Sequence, residues 1–304
     1  MDGIVNALKP PGMTSHDLVN WFRRHLGIKK VGHLGTLDPG AAGVLPICIG
    51  SATRLAEYMA EVDKEYRAEM LLGVETDSQD TSGRVVRVDD SAGPGEPDIR
   101  RALQGMRGRQ MQTPPMVSAV KHQGKRLYQL AREGKTIEPP PREIIIHSLE
   151  VVKIECRQGF WRVIFDTRVS KGTYIRTICH QVGQRLGCGG ALGFLVRTRV
   201  GPFDAASAWS LEEVEREIAD GSYGFLLPSD IGISGWPAWI LNQNGIDQVK
   251  HGGELDSRHL AQDQAVEEGQ LIRLLDTAGS LVALGRIRKL EGKAACRPNK
   301  VFIQ

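Results

Sequence analysis

The apolar positions fall into runs of two periods. Ile4 to Leu8 is a short apolar run that ends in Lys9-Pro10-Pro11-Gly12. Proline cannot continue a ladder and glycine permits positive φ, so a strand ends and turns there. Leu18, Val19, Phe22 and Leu26 recur at helical spacing, which predicts a helix over 16–26 capped by Thr14 or Ser15. A glycine-rich stretch, Gly32 to Gly50, follows, and a second helix is predicted over 52–62. Tyr66, Ala68, Met70 and Leu72 alternate with Arg67 and Glu69, the period of a half-buried strand over 64–72. Gly73 to Gly83 reads as a polar turn region and Asp89 to Pro97 as an exposed loop. Residues 143–156 and 160–169 predict paired strands turned at Gln158-Gly159. Helices are predicted over 174–187 and 210–219. The second begins with a capping box, Ser210 three residues before Glu213.

Residues 107–142 have little periodicity, many bases and the run Pro139-Pro140-Pro141. They read as an insertion with one short helix, Leu127 to Arg132, of the kind that is either functional or disordered. Pro228, Gly232, Gly235 and Pro237 mark a domain junction. Beyond it, one helix near 242–251 and strands over 270–276, 280–288 and 299–303 predict a small, mostly β module. The reading is α+β, divided into residues 1–234 and 235–304.

Composition narrows the class. The chain has 304 residues, 41% hydrophobic and 25% charged, which excludes disordered, collagen-like and coiled-coil chains. No run reaches the ~18 apolar residues of a membrane span. Asp2, with no apolar run after it, argues against a signal peptide. Five cysteines without a C-x-x-C argue against a disulfide framework or structural zinc and predict a reducing cytoplasm. The formal charge is +3, but it is partitioned. Residues 57–80 carry eight acids and two bases, net −6. Residues 105–145 are net +5 and residues 159–200 net +6. If folding joins the two basic segments, they hold phosphates; otherwise they are separate solvated faces.

Several chemistries are set aside. There is no G-x-x-x-x-G-K-[ST], H-E-x-x-H or G-x-S-x-G. Gly187 to Gly193 mimics a dinucleotide fingerprint, but Leu192 stands at the third glycine and a helix precedes it. The eight histidines are scattered, so no metal site is expected. Residues 31–50 remain, where Asp38 lies between Leu37 and Pro39. By itself this is either a bare Asp-Pro-Gly turn or a carboxylate presented where backbone approaches a ligand.

A wider pattern bears on that choice. Gly32, His33, Gly35, Leu37, Asp38, Pro39, Ala41, Gly43 and Leu45 resemble the G-H-x-G-x-L-D-P-x-A-x-G-x-L motif of the TruB family of pseudouridine synthases. Lys9 to Ser15 resembles the family's first motif, Lys64-Glu65-Tyr66 its K-x-Y motif, and Gly73 with Thr76-Asp77-Ser78 continues it. Ser170 to Arg176 resembles S-K-G-T-Y-I-R, and Leu195 to Phe203 the segment that closes the catalytic domain. These motifs span most of residues 4–203 in the family's order.

The resemblance implies a pseudouridine synthase fold with a mixed, largely antiparallel sheet and a PUA-like carboxy-terminal domain. It implies isomerisation of uridine 55 in the tRNA T-loop, with Asp38 as nucleophile and an extruded base. Arg176 is implied as the partner of Asp38, expected to favour its ionised form. Tyr66 is implied to stack on the base and be placed to move a proton, although its alternation also suits a core aromatic. Tyr174, Leu195 and His33 are implied to contact the substrate. Lys121, Lys125, Arg126, Lys171, Arg197 and Arg199 are implied on the RNA backbone, the first three in a clamp over the T-arm. No cofactor, metal, membrane or obligatory protein partner is implied, and the protein is expected to be a monomer. Leu34, Gly40 and Val196 depart from the commoner pattern, and Val196 puts one phosphate contact in doubt. The rival readings are a tRNA chaperone using the same surface, a guide-RNA-dependent synthase with partner chains, and a structural ribosome-associated protein, which would not need the presented carboxylate.

Overall fold

Alternation along Lys64–Leu72 buries Lys64, Tyr66, Ala68, Met70 and Leu72 and turns Arg67 to solvent, so one face of a sheet becomes core. The computed structural model describes all residues except 90–92, 119, 123, 134–136, 138, 158–159, 263, 291–292 and 304. The side chains of residues 121, 122, 125, 126, 128, 131, 132 and 290 also lie outside the description. So does the expected Gln158-Gly159 turn.

The large sheet runs in the order Leu226–Leu227, Gly3–Lys9, Ala42–Ile49, Gly190–Val200, Lys64–Leu72, Phe160–Val169, Arg142–Arg157, Gly108–Gln112. Val31–His33 pairs with Ala42–Ile49, and Phe203–Asp204 with Gly190–Val200. All these pairings are antiparallel except that of Ala42–Ile49 with Gly190–Val200, which sets Ala42 opposite Val196 and Gly43 opposite Arg197. The mixed, largely antiparallel sheet is as expected. Helices Ser15–Leu26, Glu96–Gln104, Ile175–Leu186 and Leu211–Ala219 cover one face through Leu18, Phe22, Ile99, Leu103, Ile178, Val182 and Val214. Thr14 caps the first of them and Ser210 the last, each in a full capping box.

A second sheet, in the order Leu260–Gln262, Ala238–Leu241, Leu271–Leu275, Leu281–Leu290, Lys293–Val301, forms after Trp236. Its core includes Trp239, Leu241, Ile272 and Leu274. Leu284 also enters a cluster with Ile4, Val44, Cys48 and Leu55 from the large body. Arg273 bridges back to Asp230 at 3.1 Å.

Several expectations are corrected. Ala42–Ile49 and Gly190–Val200 are central strands, where the sequence reading had a glycine-rich loop and no strand. Ala42–Ile49 is buried along nearly its whole length and reads as an apolar run without alternation, whereas Gly190–Val200 exposes Phe194 and buries Arg197, against the usual pattern. The helix over 52–62 is a 3₁₀ segment, Gly50–Leu55, followed by the short helix Ala56–Met59. The polar turn region contains a hairpin, Val74–Thr76 with Val85–Val88, and Glu96–Gln104 replaces part of an exposed loop. The stretch from 107 begins with Gly108–Gln112, an edge strand of the large sheet. The last strand is Lys293–Val301 rather than 299–303.

The charge partition is also resolved. The acidic and basic segments are neighbours, because Lys64–Leu72 lies between Phe160–Val169 and Gly190–Val200. Arg67 pairs with Asp166 at 2.7 Å, Arg162 with Glu69 at 2.6 Å and Arg168 with Asp63 at 2.8 Å. Arg199 reaches Glu65 at 3.7 Å and Asp204 at 3.3 Å, and Lys171 pairs with Glu61. The +6 segment is thus largely answered across the sheet.

Gly43 tests the parallel joint. It has φ +110°, and a Cβ there would lie 2.2 Å from the Arg197 carbonyl oxygen. Gly43→Ala is expected to cost about 3 kcal/mol in denaturant unfolding. Gly40→Ala, with open space around it, should stay within about 0.5 kcal/mol of wild type.

Candidate active site

The segment between Val31–His33 and Ala42–Ile49 carries Asp38. Leu34, Leu37 and Ala41 are buried and anchor it. The Ser15 hydroxyl donates to the Leu37 carbonyl at 3.0 Å and accepts from the Leu37 N–H at 2.9 Å. The Ala41 N–H donates to the Asp38 carbonyl at 3.1 Å, and the Gly12 N–H to that of Pro39 at 2.8 Å. Four anchors in so short a stretch leave the Asp38 side chain little choice of direction.

Asp38 is on the wall of a cavity of about 300 Å³ with Leu37, Lys64, Tyr66, Tyr174, Arg176, Leu195 and Arg197. Its side chain is 43% exposed, yet protein surrounds it. Arg176 is the second residue of Ile175–Leu186 and its side chain is 4% exposed. Its Nε lies 3.1 Å from Asp38 Oδ2 and its Nη2 donates to Oδ1 at 3.4 Å. Its Nη1 lies 3.3 Å from Asp80 Oδ2 and also donates to the Ser78 carbonyl at 3.3 Å. The Val117 carbonyl accepts from Nη2 at 2.8 Å.

Arg176 therefore serves two carboxylates. Asp80 is held by the Ser78 hydroxyl at 2.8 Å and the Ser82 N–H at 3.0 Å. Gln79 beside it has φ 65°, and Thr177 donates to its Oε1 at 2.9 Å. Burial raises the Asp38 carboxyl above its ordinary value; Arg176 opposes this and Asp80 adds to it. Arg176 favours the ionised form, as expected, but desolvation is the larger effect.

Residues 23–175 match the family described as "TruB family pseudouridylate synthase (N terminal domain)". Residues 176–232 match "tRNA pseudouridylate synthase B C-terminal domain". The chain belongs to the TruB family. A relative named tRNA pseudouridine synthase B, from Moorella thermoacetica, is 43% identical over 301 residues, 99% of each chain. Its counterpart in Symbiobacterium thermophilum is 49% identical over 253 residues, 83% of this chain and 82% of the other. Among solved structures, a chain of an H/ACA RNP bound to a substrate RNA containing 2′-deoxyuridine aligns with TM-score 0.74 and 27% identity. It covers 99% of this chain and 85% of that one.

The remaining TruB motif residues are placed as follows. Tyr66 is 8% exposed and sits opposite Thr167 and Arg197 in the sheet. Leu195 is 7% exposed, on the strand beside it. Tyr174 caps Ile175–Leu186, and both its backbone groups bond Gln112, at 2.8 and 3.1 Å; burial raises its phenol. His33 ends its strand opposite Ile47, outside the cavity lining. Lys171 is on the rim, and Arg199 lies outside, on the Glu65 side. The side chains of Lys121, Lys125 and Arg126 are not described, though their backbones pair as a ribbon, Lys121–His122 with Lys125–Arg126.

Arg197 corrects the list of RNA-backbone contacts. It is 1% exposed and donates to the carbonyls of Val44, Gly35 and Thr36 at 2.8, 3.0 and 3.3 Å. No donor is left facing solvent to meet a phosphate. Lys9 and Asp80 were not singled out in the sequence. Lys9 Nζ, on a 1% exposed residue, donates to the carbonyls of Met13, Pro10 and Pro39 at 2.7, 2.9 and 3.3 Å. Burial pulls its ammonium down to about 8, against the attraction of Asp38. Lys9 falls within a recognised motif, which was the available signal; a lone Asp80 in a polar turn gave none.

The raised Asp38 value has a sign. The folded state holds that proton more tightly than the unfolded chain, so ionised Asp38 costs stability at neutral pH. The cost is relieved as pH falls through the raised value. Asp38→Asn should therefore melt no lower than wild type at neutral pH by calorimetry, and the two should converge in acid. Arg176→Met leaves Asp38 and Asp80 facing one another and should lose about 3 kcal/mol in denaturant unfolding.

Proposed function

We propose that this chain isomerises uridine 55 in the T-loop of tRNA to pseudouridine. The observation that carries the reading is Asp38 in a cavity with Tyr66 and Leu195, braced by a buried Arg176. A pocket of this size suits one flipped nucleotide rather than a duplex. Tyr66 supplies an aromatic face that offsets lost stacking. Asp38 acts as the nucleophile: partly desolvated by the protein around it, with Arg176 meeting both of its oxygens. The bond between N1 of the base and C1′ breaks, the base turns, and a C5–C1′ bond forms. The C5 proton leaves and N1 gains one, so the step balances without a co-reactant.

His33, Tyr174 and Leu195 are proposed to contact the substrate. Lys171 and Arg199 are proposed phosphate contacts that must leave Glu61, Glu65 and Asp204 to serve. Lys121, Lys125 and Arg126 are proposed to lie in a clamp on the T-arm, and the small β module to be a PUA-like RNA-binding domain. The protein is proposed to work as a monomer without a protein partner. Its proposed location is the cytoplasm; among the described residues no helix is long and apolar enough to cross a membrane.

The test uses purified protein and a tRNA transcript tritiated at uridine C5. Tritium should pass to water from the T-loop transcript and not from one with cytidine at position 55. Asp38→Asn should abolish release while its tRNA Kd stays within about threefold, because a carboxamide keeps the shape but cannot attack. Release that ignores position 55, or an active Asp38→Asn, would refute the proposal.

A further inference from the structure

Every donor of Arg197 described above goes to main chain on one of two elements. Gly35 and Thr36 lie just before Asp38, and Val44 lies on the strand just after it. One guanidinium therefore closes both ends of the segment that presents the carboxylate. The Arg197 backbone adds to this, standing opposite Gly43 on one side and opposite Tyr66 on the other. Its side chain also interacts with that of Tyr66. Arg197 thus touches, at once, the segment carrying the nucleophile and the aromatic ring beside it.

Its charge differs in kind from those around it. The groups facing Asp38 are Arg176, Asp80, Lys9 and Arg197, with Lys64, Tyr66, Tyr174 and Lys171 around the cavity. Arg176 is shared with Asp80, so their effects on Asp38 oppose one another. Lys9 and Lys64 are drawn by burial to about 8 and lose charge as pH rises. A guanidinium stays charged across that range.

We propose that Arg197 is a positioning residue that sets the Asp38 segment against Tyr66 and places a constant positive charge beside the carboxylate. This rests on the pseudouridine synthase reading. Removing the charge makes Asp38 harder to ionise, so the acid limb of the pH profile moves to higher pH. Removing the planar fork while keeping a charge disturbs the geometry and leaves the limb in place.

The experiment measures single-turnover tritium release with excess protein, across pH, for wild type, Arg197→Met and Arg197→Lys, with the tRNA Kd of each. Arg197→Met should slow release on the order of 100-fold and shift the acid limb upward, while Kd stays within about threefold. Arg197→Lys should slow release about tenfold with the limb unmoved. A wild-type rate in Arg197→Lys overturns the positioning role, and this decides the matter if Arg197→Met does not fold. A slow Arg197→Met with an unmoved limb overturns the electrostatic role. A weakened Kd with a normal rate at saturating tRNA makes Arg197 an RNA contact instead. Wild-type protein that releases no tritium overturns the reaction reading; wild-type release with unchanged variants overturns only the role of Arg197.

Discussion

A carboxylate partly desolvated by surrounding protein is costly to ionise, and the surroundings of Asp38 are arranged around that cost. Arg176, Arg197 and Lys9 are all buried near it. Each would be an expense of its own if left bare. None is, because backbone carbonyls accept from all three and Asp38 and Asp80 share the first. The cations are satisfied by main chain, and the carboxylate keeps an open side toward the cavity. Net burial still weighs against the ionised form. The site therefore gives up stability to hold a carboxylate where solvent compensates it poorly.

The sheet makes this placement possible. Ala42–Ile49 and Gly190–Val200 are the one parallel pair among the described strands of the large sheet, and they sit at its centre. The Asp38 segment enters at that joint, next to the strand that brings Arg197 and Leu195. Lys64–Leu72 brings Tyr66 from the far side of the same strand, and Ile175–Leu186 brings Arg176 from the layer above. Four separate stretches of sequence meet at one carboxylate, and each is fixed by its own core residues before any substrate arrives.

Legibility in the sequence followed solvent contact. Ser15–Leu26 and Leu211–Ala219 were readable because one face is wet and their caps are local. Lys64–Leu72 was readable because its charged face alternates with its core face. Ala42–Ile49 has no wet face to give a period, and Gly190–Val200 inverts the usual pattern by exposing Phe194 and burying Arg197, so the central strands of the sheet were missed. Asp38, Arg176, Tyr66, Tyr174 and Leu195 came from motif resemblance and do meet around one cavity. His33 does not line it. Arg197 was misplaced because a guanidinium reads as a surface group, and its burial is decided by carbonyls far away in sequence. Asp80 was silent for a similar reason: its role exists only once the 76–82 turn meets Arg176.

The ion pairs between neighbouring strands have a consequence for polyanions. Arg199 and Lys171 already hold carboxylates, so a phosphate that approaches either one displaces an internal acid rather than a condensed ion alone. Fewer free ions are exchanged per phosphate than on a bare lysine-rich surface. Ionic strength then reports fewer contacts than are made. The displaced Glu65 and Glu61 would repel any phosphate that sits out of register. A cation with a resident rival discriminates by shape where an unpaired one would merely attract.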